Sequence, residues 1–168
     1  YRFLNSCSIE EYQKKLERGW RRFGKIHFVP ECKSCTKCVS MRIDVKNFQF
    51  SKSQKRVLNK NKDTKVFIRP PTVTKEHMDL YHKYHTIMQD KKDWKYVHID
   101  HEDYIKSYVE GNTKYATEFL YLRDDELIGV ALVDILPNAI SSIYCFYDHD
   151  FEEFSIGTTP NFIFLDSN

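Results

Sequence analysis

The sequence predicts an α+β protein, from both its residue pattern and its composition. In the second half, two segments with helical spacing of apolar residues precede three segments in which apolar and polar residues alternate. Of the 168 residues, 41% are hydrophobic and 15% are aromatic, whereas only 5 are Gly and 5 are Pro. Burial of that much apolar surface offsets the entropy of the chain, so a fibrous, collagen-like or largely disordered protein is excluded.

The first half of the chain opens with a predicted helix over residues 9–18. Ser8 and Glu11 have the spacing of a capping box, and Gly19 follows at the position where helices commonly end. Residues 20–29 then predict a short extended pair that turns at a glycine. The chain is therefore expected to begin with one helix and one short hairpin.

A strand and a basic helix are predicted next. Residues 41–45 alternate apolar and polar side chains, as a strand with one buried face does. Serines at the start of residues 50–62 suit the N-cap of a strongly basic helix. Residues 65–69 predict another short strand that ends at two consecutive prolines. The basic helix thus lies close in sequence to the cysteine-rich segment that precedes residue 41.

Pro70 and Pro71 are the best boundary between two regions of opposite charge. The whole chain carries a net charge of +2, but residues 1–70 carry +12 and residues 71–168 carry −10. A basic face of this size suits binding of a polyanion by the first region. The alternative interpretation is that the two solvated surfaces attract each other.

Two helices and an antiparallel meander are predicted after this boundary. Thr74 suits the N-cap of the first helix, and the second helix is expected to begin at Asp100 and end at Gly111. Three strands and two turns follow, with strands at residues 119–122, 127–133 and 140–147 and turns at residues 123–126 and 137–138. The order of elements resembles the acetyltransferase-like (GNAT) α/β fold, while the pattern by itself supports only the α+β class.

Residues 32–38, which we call the cysteine knuckle, contain three of the five cysteines: Cys32, Cys35 and Cys38. A tight turn after the first cysteine would direct the following sulfurs toward one metal, so the predicted cofactor is zinc or an iron–sulfur cluster. The fourth ligand is left open among Cys7, Cys145, His27 and a residue upstream of Tyr1. Redox-active or structural thiols are the alternative, and an odd number of cysteines argues against a disulfide framework.

Other features of the sequence exclude a membrane protein. No uncharged apolar run approaches the ~20 residues needed to cross a bilayer, and no signal peptide pattern is present. We therefore expect a cytoplasmic protein with no membrane partner. Because the chain starts at Tyr1 and the stretch from Pro160 resembles neither an element nor a tail, we expect the fold to be incomplete at both ends.

Several motifs together identify a family. From about Leu16 to Thr158 the chain resembles the aminoacyl-tRNA protein transferases of the N-end rule pathway, the arginyl- or leucyltransferase group. The motifs that carry the resemblance are LERGWRRFG at residues 16–24, the cysteine knuckle followed by Val39, RIDV at residues 42–45, FSKSQKR at residues 50–56, LYHKYH at residues 80–85, DILP at residues 134–137, SSIYCFYD at residues 141–148 and SIGT at residues 155–158. The resemblance covers most of the chain and implies an N-terminal cysteine-containing region packed on an acetyltransferase-like region.

The resemblance implies transfer of an amino acid from its tRNA ester to the free α-amine of a protein that begins with Asp or Glu. The expected partners are therefore an aminoacyl-tRNA and such acceptor proteins. The knuckle resembles the bacterial branch, which favours leucine over arginine as the donor amino acid. No oligomeric state is implied.

The demands of this reaction select candidate residues. Phosphates of tRNA require a basic surface, for which the candidates are Arg21, Arg22, Lys52, Lys55, Arg56, Lys60 and Lys62. An acidic N-terminal side chain requires a positive partner, for which Arg42 and Arg56 are the candidates. A base must accept a proton from the attacking amine, and Asp148 and Asp134 lie at predicted strand ends. Tyr144 and Tyr147 are expected to bind the ester oxygen or stack on the terminal adenosine. Sheet packing for both tyrosines and turn capping for Asp148 are the structural alternatives.

Three functions compete at this point. An RNA-binding module, in which the cysteine knuckle positions the basic helix, is the alternative to the transferase. An acetyltransferase is disfavoured because the glycine-rich turn that binds a pyrophosphate is missing. His82 and His85 are three residues apart, but a metal role there is disfavoured because no cysteine or suitably spaced glutamate accompanies them.

Overall fold

The computed structural model describes residues 2–3, 7–111 and 114–157. The α-helices are α1 (Ile9–Glu17), α2 (Lys52–Lys60), α3 (Lys75–Lys92) and α4 (His101–Tyr104), which continues as a π-helical turn (Ile105–Val109). The strands are β1 (Arg2–Phe3), β2 (Arg21–Phe23), β3 (Ile26–Phe28), β4 (Lys65–Arg69), β5 (Ala116–Arg123), β6 (Glu126–Leu136) and β7 (Ala139–Tyr147). Two 3₁₀ turns span Val45–Asn47 and His149–Phe154. The α+β class is confirmed. The expectations for Tyr1, Thr158 and residues 159–168 lie outside the described range.

The predicted helix caps are present. In α1, the Glu11 amide donates to Ser8 Oγ at 3.1 Å and the Ser8 amide donates back to Glu11 Oε2 at 3.0 Å. Ser51 and Gln54 form the same reciprocal pair at the start of α2, and Thr74 caps α3. These bonds satisfy amides that have no partner within the helix. No helix of the described residues is long and apolar enough to span a membrane.

The centre of the chain is a four-stranded antiparallel sheet in the order β4-β5-β6-β7. Asp124 and Asp125 form the turn that joins β5 to β6 and have positive φ values of 50° and 63°. Positive φ at both residues of a two-residue turn matches the right-handed twist of the strands that it joins. α3 packs on one face of the sheet, against β6 and β7. The core on this face consists of Leu80, Tyr81, Tyr84, Met88, Tyr104, Leu120, Val130 and Phe146. The predicted meander is therefore confirmed.

The opposite face of the sheet is covered by the second 3₁₀ turn. Phe151 and Phe154 of this turn pack against a second core, which consists of Phe119, Tyr121, Ile128, Ala131, Val133 and Ile156. The Asn61 side chain, at the end of α2, donates to the Phe154 carbonyl at 2.7 Å. The sheet thus lies between α3 on one side and the 3₁₀ turn with α2 on the other.

The N-terminal elements pack on one end of this sheet. Strands β1, β3 and β2 form a small antiparallel sheet in that order. Tyr12 of α1 is fully buried and stacks on Tyr115 just before β5, with ring centroids 4.6 Å apart. Gly24, in the β2–β3 turn, has φ +51° and lies so close to the Lys106 carbonyl that a Cβ would collide with it. The hairpin is therefore fixed against the π-helical turn.

Strand β4 extends the central sheet across the predicted boundary. It precedes Pro70, yet it pairs with β5 from Lys65 opposite Leu122 to Arg69 opposite Glu118. The edge of the C-terminal sheet is thus built from the first 70 residues. The division of the chain into residues 1–70 and 71–168 stays a prediction.

The strand predicted at residues 41–45 is wrong. This segment forms no strand, and Met41, Ile43 and Val45 are 87%, 56% and 41% exposed. Alternation of apolar and polar residues stabilises a strand only where a neighbouring strand and a core receive it. Within the described residues, neither reaches this segment.

Candidate active site

An open cleft lies between α3 and the segment that follows it. The cleft has a volume of about 560 Å³ and is lined by Tyr81, His85, Asp93, Trp94, Lys95, Tyr96 and Val97. α3 ends at Lys92, and the left-handed conformation of the next residue, Asp93 (φ 54°), turns the chain so that the following residues lie along the helix. We call this space the aromatic cleft, because rings form most of its walls.

A histidine of α3 and a tyrosine of β7 meet at this cleft. His85 Nε2 lies 2.7 Å from the Tyr144 hydroxyl, and His85 Nδ1 lies 2.8 Å from the Tyr81 carbonyl oxygen. Because a carbonyl only accepts hydrogen bonds, Nδ1 must carry the ring proton. In the neutral ring, Nε2 therefore accepts from the Tyr144 hydroxyl.

Burial sets the protonation states of this pair. Desolvation lowers the pKa of His85 below its usual value, although the bond to the Tyr81 carbonyl opposes this shift. Burial also raises the pKa of Tyr144. At neutral pH the pair is thus a neutral imidazole that accepts a proton and a phenol that keeps its own.

Two further histidines hold the segment after α3 in place. His82 of α3 stacks face to face on His98, with ring centroids 4.1 Å apart and planes 9° from parallel. His82 Nδ1 also hydrogen-bonds the Tyr96 hydroxyl, and the Tyr96 ring stacks on His85 at 5.3 Å. The wall of the aromatic cleft therefore depends on contacts between rings rather than on a regular element.

The second predicted helix is split, and its second part reaches the same site. Asp100 caps α4 as expected, accepting from the Asp103 amide at 2.8 Å. After four residues the helix widens into the π-helical turn, which places Tyr108 parallel to Tyr144 at 5.5 Å. The Tyr108 hydroxyl lies 3.4 Å from that of Tyr81. Turns of this type are frequent at functional sites because they redirect one side chain.

The two predicted tyrosines have different positions. Tyr144 lies within the site, bonded to His85. Tyr147 packs farther along β7, between Tyr84 and His149, with ring centroids 5.2 and 5.0 Å away. Of the two, Tyr144 is the one that contacts His85, a residue that lines the aromatic cleft.

Arg22 and Asp134, two residues predicted for the site, are paired in the interior. Their side chains are 3% and 0% exposed, and Arg22 Nε donates to Asp134 Oδ2 at 2.8 Å. A second guanidinium nitrogen of Arg22 donates to Asp134 Oδ1, which completes a two-point contact. The pair joins the N-terminal hairpin to β6, and contact of Arg22 with tRNA and the role of Asp134 as a base stay predictions.

Asp148 also has a structural position. It is 4% exposed, accepts from Lys83 Nζ at 2.7 Å, and caps the following 3₁₀ turn by accepting from the Asp150 amide at 3.0 Å. Its carboxylate oxygens are thus used within the protein. This arrangement is the one that the turn-capping alternative describes, and the role of Asp148 as the base stays a prediction.

The candidates for acceptor recognition lie away from the lining of the cleft. Arg42 is exposed and donates to the Glu17 carbonyl at the end of α1, and Arg56 is exposed on α2. Among the described residues that line the aromatic cleft, the only lysine or arginine is Lys95. Lys95 was not predicted, since nothing in its sequence context distinguishes it.

The predicted tRNA contacts other than Arg22 remain accessible. Lys52, Lys55, Arg56 and Lys62 are exposed on or just after α2, and Arg21 is half-buried on β2. Lys60 is exposed but forms an ion pair with Glu153 at 2.9 Å. The basic surface of α2 is therefore available to a polyanion.

The cysteine knuckle is exposed and open in this structure. Cys32, Cys35 and Cys38 are all exposed, and Cys32 faces Cys35 across an isolated antiparallel bridge. Among the described residues, no three His, Cys, Asp or Glu side chains converge closely enough to hold a metal ion. The three thiols have the donor chemistry of a zinc or iron–sulfur site, but in this structure they do not converge on one point.

His85 is the main site residue that the sequence analysis missed. The signal was the spacing of Tyr81 and His85, which places both rings on one face of α3 one turn apart. Their hydrogen-bond partners come from other parts of the chain, 59 residues away in the case of Tyr144. The spacing alone therefore did not separate a proton acceptor from a core histidine.

Comparison with known proteins identifies the family. The family model described as Arginine-tRNA-protein transferase, C terminus, matches residues 76–163, and its N-terminus counterpart matches residues 1–56. The first match covers more than half of the chain. The chain therefore belongs to the arginine-tRNA-protein transferase family, which confirms the family inferred from the motifs.

The curated relatives are named as leucyltransferases, whereas the family model is named for arginine. The chain is 45% identical over 157 residues to aspartate/glutamate leucyltransferase of Campylobacter jejuni and 44% identical over 158 residues to that of Helicobacter hepaticus, with 94% of this chain and 66% of each relative aligned. Identity to the Pseudomonas aeruginosa enzyme of the same name is 32% over 146 residues, 87% of this chain and 61% of that one. The chain thus spans just under two thirds of the length of these relatives.

Proposed function

We propose that this chain transfers an amino acid, preferentially leucine, from aminoacyl-tRNA to the N-terminal amine of proteins that begin with Asp or Glu. The observation that carries this proposal is the His85–Tyr144 hydrogen bond at the aromatic cleft, in a chain of this family. The names of the relatives support leucine and the acidic acceptors. An acetyltransferase-like arrangement of α3 and the meander is part of the same proposal, as is action in the cytoplasm.

The chemistry requires little beyond orientation and one proton acceptor. The ester is already activated, so alignment of the amine with its carbonyl carbon supplies much of the rate. An α-amine has a pKa of about 7.7–8.0 and must be neutral to attack. Neutral His85 accepts a proton through the Tyr144 hydroxyl, because the phenol passes its own proton to Nε2 as it receives one from the amine.

The same pair serves the leaving group. As the new C–N bond forms and the C–O bond of the ester breaks, the ribose oxygen of the tRNA requires a proton. The imidazolium of His85 returns the proton through Tyr144, which restores the starting state. The raised pKa of Tyr144 keeps the phenol protonated between these steps, so it does not compete as an anion.

A direct assay tests the proposed function. The chain is incubated with tRNA charged with labelled leucine or labelled arginine, together with peptides that begin with Asp, Glu, Asn or Ala. We expect mass increases that correspond to leucine on the Asp and Glu peptides. Binding of tRNA with no modified peptide would favour the non-enzymatic RNA-binding module instead.

The exposed cations of α2 are expected to bind the tRNA. Replacement of Lys52, Lys55 and Arg56 by Ala should weaken tRNA binding and reduce the slope of log K against log salt by up to about 3, since each lost phosphate contact contributes about one. Affinity measured between low and moderate salt gives this slope. The matched control removes three ion-paired surface lysines, Lys65, Lys75 and Lys106, and so changes the net charge equally. If both triple variants reduce tRNA affinity and its salt dependence equally, α2 has no specific role in tRNA binding.

Acceptor choice is expected to depend on a positive side chain. An acidic side chain that enters a partly desolvated site needs such a partner, and loss of the contact should reduce the preference for Asp over Asn about tenfold to a hundredfold. The candidates are Arg42, Arg56 and Lys95, each replaced by Ala and assayed with both peptides. Lys95 has the advantage of lining the aromatic cleft. An unchanged preference in all three variants would exclude these residues as the acid-binding group.

The cysteine knuckle is proposed to close around zinc or an iron–sulfur cluster when the metal is supplied. Anaerobically purified protein should then contain zinc or iron, and Cys35→Ser should lose the metal and lower stability, because metal binding is coupled to local folding. Elemental analysis and an optical spectrum measure this. Ser34→Ala, in the same segment, should keep the metal. Folded, active protein that contains neither element would contradict the proposal.

A further inference from the structure

The β2–β3 hairpin has one buried face and one open face. Successive side chains of a strand point to opposite sides. Arg22 and His27 are 3% and 2% exposed on the inner side, whereas Phe23 and Ile26 are 37% and 45% exposed on the outer side. Most hairpins with a single open face place polar residues there, so two exposed apolar neighbours require an explanation.

The open face is aromatic and includes one arginine. Phe23 and Phe28 are nearly parallel, with ring centroids 5.7 Å apart and planes 18° from parallel. Arg21 shares this face, because it lies two residues before Phe23 and opposite Phe28 in the strand register. It forms no ion pair with any described residue. We call Arg21, Phe23, Ile26 and Phe28 the hairpin face.

The hairpin face adjoins the proposed reaction site. The Phe23 ring lies edge-on to Tyr144 at 6.4 Å and edge-on to Tyr108 at 6.1 Å. Tyr144 in turn is bonded to His85. A continuous series of rings therefore leads from the open surface to the pair that would handle the proton.

We propose that the hairpin face is a stacking platform for the unpaired bases at the 3′ end of the aminoacyl-tRNA, next to the ester-bearing nucleotide. Aromatic side chains with neighbouring cations are the usual surface for single-stranded nucleic acid, since every base offers a planar ring and every phosphate a negative charge. The positive charge of the first 70 residues matches this occupant. A peptide acceptor with an acidic N-terminus offers no ring to stack on Phe23 or Phe28. This inference rests on the proposed function for its choice of RNA, but it concerns binding alone.

The test measures base stacking directly and needs no transfer. The probe is an RNA hairpin with an unpaired 3′ end in which one adenosine is replaced by 2-aminopurine, whose fluorescence falls on stacking. A second RNA hairpin lacks the unpaired end. We expect the full chain to quench the first probe, and we expect Phe23→Leu and Phe28→Leu each to weaken its binding about tenfold while binding of the blunt probe is unchanged.

Matched variants separate stacking from folding. Phe23→Trp keeps a ring and should retain the quenching, and Phe67→Leu changes an aromatic residue that is 51% exposed on the distant edge strand β4 and should have no effect. If the Phe23→Leu variant quenches the probe as strongly as the wild type does, the proposal is wrong. The proposal is also wrong if this variant binds an Asp-initiated peptide more weakly but binds the RNA as the wild type does. Quenching that depends on Phe23 in a chain that transfers no amino acid would support the platform and reject the proposed function.

Discussion

His85→Gln is expected to lower the rate of amino acid transfer by about 10²–10⁴-fold, with little change in tRNA affinity. A positioned general base typically contributes this much, and glutamine offers no group that takes up a proton. Tyr144→Phe should lower the rate as well, because it removes the hydroxyl that links the amine to His85 Nε2. Single-turnover transfer from leucyl-tRNA to an Asp-initiated peptide gives the rates. The matched control is His101→Gln, which changes an exposed histidine at the start of α4.

The pH dependence gives a second, independent measurement. Burial lowers the pKa of His85, so the imidazole is neutral at pH 7 and becomes protonated only below its usual range. A protonated ring cannot accept a proton, and the wild-type rate should therefore fall as pH decreases through that lowered pKa. The His85→Gln variant should lose this acidic limb and keep only the dependence on the amine. An identical acidic limb in both proteins would assign the base to another group.

Local signals predicted most of the fold, and their failures have a common cause. The capping boxes at Ser8 and Ser51 act within four residues, so the sequence alone located α1 and α2. The segment at residues 41–45 has an equally clear alternating pattern, but no core receives it. The helix expected from Asp100 begins correctly and then widens into a π-helical turn, which a pattern of apolar spacing does not encode.

The site was less predictable than the fold, because its contacts join distant segments. Tyr144 was predicted, but as a partner of the ester, without His85. Asp134 and Asp148 were chosen because they lie at strand ends, where clefts often form. A carboxylate at a strand end can face a substrate or pair with a cation inside the protein. Here both pair with cations that are distant in sequence: Asp134 contacts Arg22, 112 residues away, and Asp148 contacts Lys83, 65 residues away.

The second large expected effect is the loss of stability when the Arg22–Asp134 pair is broken. Burial by itself would lower the pKa of Arg22, but the Asp134 carboxylate raises it, so the guanidinium stays charged in the interior. Removal of one partner leaves a buried charge without compensation, which typically costs about 3–5 kcal/mol. Arg22→Met and Asp134→Leu should each destabilise the chain by this amount, and a shift in Tm of roughly 10 °C would follow. The control is Lys75→Met, which breaks the exposed pair of Lys75 with Asp79 and should cost at most about 1 kcal/mol.

The double variant Arg22→Met/Asp134→Leu distinguishes a structural pair from a requirement for either residue in catalysis. It removes both charges together, so its stability should exceed that of each single variant, as double-mutant cycles show for coupled buried pairs. Since neither Arg22 nor Asp134 lines the aromatic cleft, a stable double variant should keep its transfer activity. A stable but inactive double variant would indicate that Asp134 or Arg22 is required for the transfer reaction.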